Sequence, residues 1–296
     1  MLTILKSNHR PLDSTIKGYS FLLFIFVTIL YSVLSIPNYY ISINAQIIEN
    51  ESDINNPNSI LFEKEGNVSI TQISPCSITI ERDFKLENNL NCYSDGLIVS
   101  VNGITIDLNG KTITGPGKSL DHFGIGVIGT SITIKGPGTI TNFHNGVGIL
   151  QSNSIVINSI NLQNNEIGVF SSDNSNIEIS NNDVYSNNIG ISAQSNINLI
   201  LRNNSITSNE MSGIIIAKTN QSSIEVNNIE GSNVGIYVDK ASNHNKIISN
   251  TLFNAIDINN ANGLEVNSNY NQYYQNKCTI SDPTELCMNT KWKLIN

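Results

Sequence analysis

The chain has 296 residues, with 24 acidic against 16 basic side chains and a formal net charge of −8. That balance repels phosphate backbones and excludes nucleic acid as a partner. No Gly-rich phosphate loop, His-Glu-x-x-His or nucleophile elbow appears, so the common nucleotide, zinc-protease and serine-hydrolase signatures are missing too.

Residues 1–18 carry Lys6, Arg10 and Lys17 against Asp13, and residues 19–36 carry no charge at all. An apolar run of that length is near the lower limit for a spanning helix. The basic flank before it keeps the N-terminus cytoplasmic and puts everything beyond Pro37 outside. Residues 1–36 read as a cytoplasmic tail and a membrane anchor through 19–36; a signal peptide cleaved after Ala45, giving a secreted protein, is the alternative. Residues 37–66 are polar, with Asn55, Asn56, Pro57 and Asn58 in the middle and no sustained apolar period, and read as a linker.

Four cysteines follow as two local pairs, Cys76 with Cys92 and Cys278 with Cys287. Three connectivities are open to four cysteines. The pairs flank opposite ends of the region described next, which favours two local disulfides and an oxidising space outside the membrane. A zinc site would call for closer Cys-x₂₋₄-Cys spacing.

From Ile78 onward the apolar residues alternate with polar ones in short runs: Ile78 and Ile80, Leu97 and Val99, then Ile104, Ile106, Leu108 and Ile113 around an Asn109-Gly110 turn. A strict repeat then sets in. Gly followed by a β-branched aliphatic recurs at Gly124, Gly146, Gly168, Gly190, Gly213 and Gly235, and Ala255-Ile256 takes the seventh slot. Between these lie triplets such as Ile132-Thr-Ile134, Ile155-Val-Ile157, Ile177-Glu-Ile179, Leu199-Ile-Leu201, Ile224-Glu-Val226 and Leu264-Glu-Val266. A fixed period near 22 with three short strands per unit, and no apolar 3.6-period, predicts an all-β parallel solenoid. About eight such rungs stacked at ~4.8 Å make a rod ~40 Å long. Asparagine is about one residue in six. Asn182, Asn204, Asn227 and Asn250 recur at the period, as corner residues able to form amide ladders. The solenoid with its N-terminal cap covers residues 67–277, and 278–296 form the C-terminal cap that solenoids need.

The segment Ile104-Thr-Ile-Asp-Leu-Asn-Gly-Lys-Thr-Ile-Thr-Gly-Pro-Gly117, followed by Gly138 to Ile149, resembles the first rungs of the right-handed parallel β-helix proteins of the pectate-lyase-like superfamily. Within it the NosD-type periplasmic copper-associated branch is the most similar. The resemblance covers residues 70–290 and implies right-handed winding; a paired-cysteine N-terminal cap is typical of that group.

Residues one period apart stack, so columns can be read directly. Two positions before each repeat glycine stand His122, His144, Glu166, Asn188, Met211 and Asn233. Two imidazoles and a carboxylate on successive rungs form a candidate divalent-metal site; no other cofactor is expected. Glu178 and Glu225 fall two rungs apart with Ile200 between them, near the upper end of inverting-glycosidase spacing, but no loop insertion stands out that would wall a cleft. Gly126 and Gly148 mark a flat strip on which a sugar polymer could lie. Asn50, Asn67, Asn203 and Asn220 begin Asn-x-Ser acceptors. The function expected from these features is non-catalytic binding or scaffolding of carbohydrate or a partner protein at the cell surface or in the periplasm. A polysaccharide lyase, hydrolase or epimerase and a NosD-like copper accessory protein are the alternatives.

Overall fold

A computed structural model describes residues 76–261 and 271–287. The expected anchor 19–36, the linker 37–66 and the triplet at 264–266 lie outside them. No helix among the described residues is long and apolar enough to cross a membrane.

Three parallel sheets form the body. The first runs over ten strands, among them Ile78–Ile80, Leu97–Val99, Phe123–Val127, Asn145–Leu150, Ile167–Ser172, Ile189–Gln194, Ser212–Ala217, Val234–Val238 and Ile256–Asn260, and ends on Ser281–Asp282. The second has nine strands, from Phe84–Lys85 to Gln272–Tyr274, and the third eight, from Leu90–Asn91 to Thr251–Phe253. Successive strands visit the sheets in turn, so each coil of chain pairs with the next. The result is a parallel β-solenoid of the right-handed type, with about nine turns of about 22 residues. Among the described residues the only helical element is a 3₁₀ turn, Thr284–Cys287.

The interior is a stack of aliphatics. Ile125, Val147, Val169, Ile191, Ile214, Ile236 and Ile258 stand in one register and are fully buried. Each such side chain contributes roughly 1.5–3 kcal/mol by leaving water. The glycine column has a steric cause. A β-carbon on Gly124 would lie 2.5 Å from the carbonyl oxygen of Gly146, and one on Gly190 would lie 2.5 Å from that of Gly213. The repeat glycine is the one residue that lets adjacent rungs approach at this corner. Gly96 belongs to the same column.

The asparagines ladder inward rather than along the surface. Asn182, Asn204, Asn227, Asn250 and Asn276 are all buried. Each Oδ1 after the first accepts both the backbone N–H and the Nδ2 of the asparagine one rung earlier, at 3.0–3.1 Å. Each Nδ2 also donates to a backbone carbonyl of the previous rung, as Asn204 does to Ile179 at 2.9 Å. Full satisfaction of both amide ends is what makes polar burial tolerable at these corners. A second ladder links Asn165, Asn187 and Asn209.

Two alignments differ from the expectation. The seventh glycine slot belongs to Asp257-Ile258, since Ile236 pairs with Ile258; Ala255-Ile256 lies two residues early. Ile224 pairs with Leu201 instead of Leu199, so the inward triplet at 224–226 is not a triplet: Val226 turns out at the corner with φ +56° and stands exposed. The aliphatic column Ile132, Ile155, Ile177, Leu199 passes instead into polar Ser222 and Asn245, which are buried and joined by a hydrogen bond from the Ser222 N–H to Asn245 Oδ1 at 3.0 Å.

Cys76 is joined to Cys92 and Cys278 to Cys287. The first closes the start of the solenoid. The second closes a cap that still adds Ser281–Asp282 to the first sheet, so the repeat and its cap overlap.

Candidate metal centre

His122 and His144 sit at the corner where the third sheet passes the chain to the first. Their following residues, Phe123 and Asn145, are register partners, and Asn145 in turn partners Ile167. The column His122, His144, Glu166, Asn188 is therefore real, with each backbone carbonyl accepting from the next rung.

Both imidazoles are oriented through Nδ1. His144 Nδ1 lies 3.0 Å from the carbonyl oxygen of Lys118. A carbonyl only accepts, so this nitrogen carries the hydrogen and Nε2 keeps its lone pair. His122 Nδ1 lies 3.2 Å from Asp95 Oδ1, which also accepts the Phe123 N–H at 2.8 Å. The carboxylate fixes the same tautomer there, and a carboxylate behind an imidazole holds the ring in one orientation. Both side chains are half-buried, so neither ring is sealed off from solvent.

Glu166 stands apart from the pair. Asn188 Nδ2 holds its Oε1 from the next rung. It is also two rungs from His122, about 9–10 Å along the stack, too far to share one ion with both histidines. Among the described residues the one group of three His, Cys, Asp or Glu donors within 4.8 Å of one another is Asp257, Cys278 and Cys287. Its sulfurs are spent in the disulfide, and Asp257 Oδ2 already accepts the backbone N–H groups of Thr279 and Ile280 at 2.8 and 3.1 Å. That group is a structural clasp.

Sequence reasoning missed Asp95 and Lys118. The rung from Gly96 to Gly124 is longer than its successors, and the extra residues 115–122 run along the corner. Gly117 donates to the Asn142 carbonyl at 3.0 Å, and the Lys118 ammonium reaches the Ser186 carbonyl at 3.5 Å. This is an insertion into the repeat. Its signal in the sequence was the irregular spacing between Gly96 and Gly124.

The other candidate features resolve differently. Glu225 partners Arg202, whereas Glu178 continues into Ile200 and Ser223, so the two carboxylates do not share a column. Arg202 Nη2 lies 2.8 Å from Glu178 Oε1, and Glu225 stands next to Arg202 in its own column. The Arg202 guanidinium holds the Glu178 carboxyl below its ordinary range despite some burial. A carboxylate held ionised is unsuited to the general-acid role in glycoside cleavage. The Gly126–Gly148 strip is not left open: the Phe123 ring lies where a side chain on Gly148 would be, and Ile98 closes on Gly126.

The chain matches the family described as "Periplasmic copper-binding protein (NosD)" over residues 87–284, more than half its length. The chain belongs to the NosD family. No curated protein sequence matches this NosD-family chain significantly. Among solved structures it is similar to the A-module of an Azotobacter vinelandii mannuronan C-5 epimerase, at 13% identity and a TM-score of 0.49, covering 66% of this chain and 58% of that one. A bacteriophage CBA120 tailspike domain is similar at 13% identity and 0.45, covering 69% and 42%. A Paenibacillus alginate lyase is similar at 14% identity and 0.29, covering 66% and 99%. The chain spans less than two thirds of the first two. Likeness at this level carries no argument about activity.

Proposed function

We propose that this NosD-family chain is an extracytoplasmic solenoid that binds copper through the Nε2 atoms of His122 and His144. The observation that carries the reading is the pairing of the two Nδ1 atoms with fixed acceptors, Asp95 Oδ1 and the Lys118 carbonyl, on adjacent rungs. Imidazole nitrogen suits copper and zinc alike. Two oriented lone pairs, with no third protein ligand among the described residues, describe a site that takes up an ion and releases it, rather than a closed structural centre. The family's description as periplasmic, and two disulfides with no free cysteine among the described residues, support a location outside the cytoplasm.

The test is calorimetric titration of the purified full chain with Cu²⁺ and with Zn²⁺, alongside the His122→Ala/His144→Ala double variant. The wild type should show one stoichiometric site and the double variant none, with an unchanged strand spectrum. Undiminished binding in the double variant, or no binding in the wild type, overturns the proposal.

A further inference from the structure

Two Asn-x-Ser acceptors fall among the described residues, and the fold treats them oppositely. Asn220 is woven into its corner: Oδ1 accepts the Asn243 N–H at 2.9 Å, and Nδ2 faces the Lys218 carbonyl at 3.4 Å. Its partner Ser222 is buried, with the hydroxyl accepting the Leu199 N–H at 3.0 Å and donating to the Asn220 carbonyl at 2.9 Å. Asn203 has none of this. It occupies the left-handed corner position, φ +53°, in line with Ser159, Asn181 and Ser249 on other rungs. The corner uses its backbone, which asparagine tolerates there, and leaves the side chain exposed. The laddered residue is its neighbour Asn204, and Ser205 opens the next strand on the outer surface.

We infer that Asn203 is an N-glycosylation site and that Asn220 is not. The acceptor is the Asn203 amide nitrogen and the donor an oligosaccharide linked through its first sugar to a polyprenyl phosphate or pyrophosphate. A carbon–nitrogen bond forms to that sugar, its bond to the phosphate oxygen breaks, and the amide gives up one proton; nothing is oxidised or reduced. The acceptor motif is used on chains outside the cytoplasm, where the two disulfides also place this one. A glycan at Asn203 leaves the turn between the second and third sheets, whereas His122 and His144 lie between the third and the first. The modification thus leaves the metal corner open, and its success or failure is independent of copper binding.

Trypsin separates the two acceptors into peptides 203–218 and 219–240. In protein purified from its own source, mass spectrometry should find peptide 203–218 carrying a sugar chain and peptide 219–240 bare. In the Asn203→Gln variant expressed in that source, the glycosylated form should vanish and the chain should migrate faster. An unmodified 203–218 peptide, or a glycan on 219–240, overturns the inference.

Discussion

The carbonyl oxygen of Asp257 lies 2.5 Å from the place a β-carbon on Gly235 would take. The same relation, glycine beneath the carbonyl of the next rung, runs back through Gly213, Gly190, Gly168, Gly146 and Gly124 to Gly96. It ends at Asp257 because the next layer is the cap, where a side chain has somewhere to go. The column marks both the repeat and the point at which it stops.

The first prediction follows from that contact. Gly190→Ala places a methyl group against backbone that cannot swing away, and overpacking of this kind costs about 1–3 kcal/mol. The urea midpoint should fall, with the slope unchanged. A variant as stable as the wild type would mean that the rungs are looser than described.

Asn204 offers a sharper contrast. Replacement by leucine takes the acceptor from the backbone N–H and from one Nδ2 hydrogen of Asn182, and a donor from the carbonyl of Ile179, all in the dry interior. Each orphaned group costs about 1–3 kcal/mol. Asn233→Ala, at an exposed position, should change stability by no more than about 0.5 kcal/mol. Equal denaturation midpoints for the two variants would reduce the ladder to decoration.

These two residues also show what sequence could and could not say. The period and strands were legible because a glycine contact repeated every rung leaves a visible spacing, and inward aliphatics alternate. The direction of the asparagines was not, since a residue favoured in turns and one hydrogen-bonded indoors look alike in the chain. Register failed at 224–226 because Ile224 and Val226 keep the alternation while Ser222 takes the inward place before them. At the candidate centre, His122 and His144 could be aligned from spacing alone. Asp95 and the Lys118 carbonyl could not, because the long rung between Gly96 and Gly124 breaks the period and a backbone acceptor has no residue type.

Tyr237 supplies a pH prediction. Burial, with a smaller contribution from the Asp239 carboxylate, pushes its phenol up to about 12. An unfolded tyrosine ionises near pH ~10. The folded chain thus holds a proton that the unfolded chain releases, so this contribution is complete below about pH 10 and is lost as pH rises from about 10 to 12. Burial pushes Tyr273 up as well. The Tyr237 hydroxyl is buried with no hydrogen-bond partner among the described residues, so Tyr237→Phe should not destabilise the protein at neutral pH and should flatten the alkaline fall in stability. Ultraviolet titration of the variant should lack one late-ionising tyrosine; loss of an early one would contradict the burial.

The last prediction returns to Asp257. Its Oδ1 accepts the Asn254 N–H at 2.7 Å, while Oδ2 takes the N–H groups of Thr279 and Ile280. One carboxylate therefore joins the final turn of the solenoid to the cap. Hydrogen bonds to a charged group are worth about 1.5–3 kcal/mol each, and the donors left behind by Asp257→Ala have no other acceptor among the described residues. The damage should stay local, because a solenoid rung depends on its neighbours and little else. Hydrogen exchange should quicken across 271–287 and at 254–260, while amides of the rungs near Val147 and Val169 keep their protection. Reduction of Cys278–Cys287 in the wild type should loosen the same region less, since a loop closed over nine residues restrains the unfolded chain only modestly and the Asp257 bonds survive it. If Asp257→Ala instead left exchange across 271–287 unchanged, the clasp would rest on the disulfide. If it unfolded the whole chain together, the solenoid would be cooperative end to end, and the rung-by-rung account of its stability would be wrong.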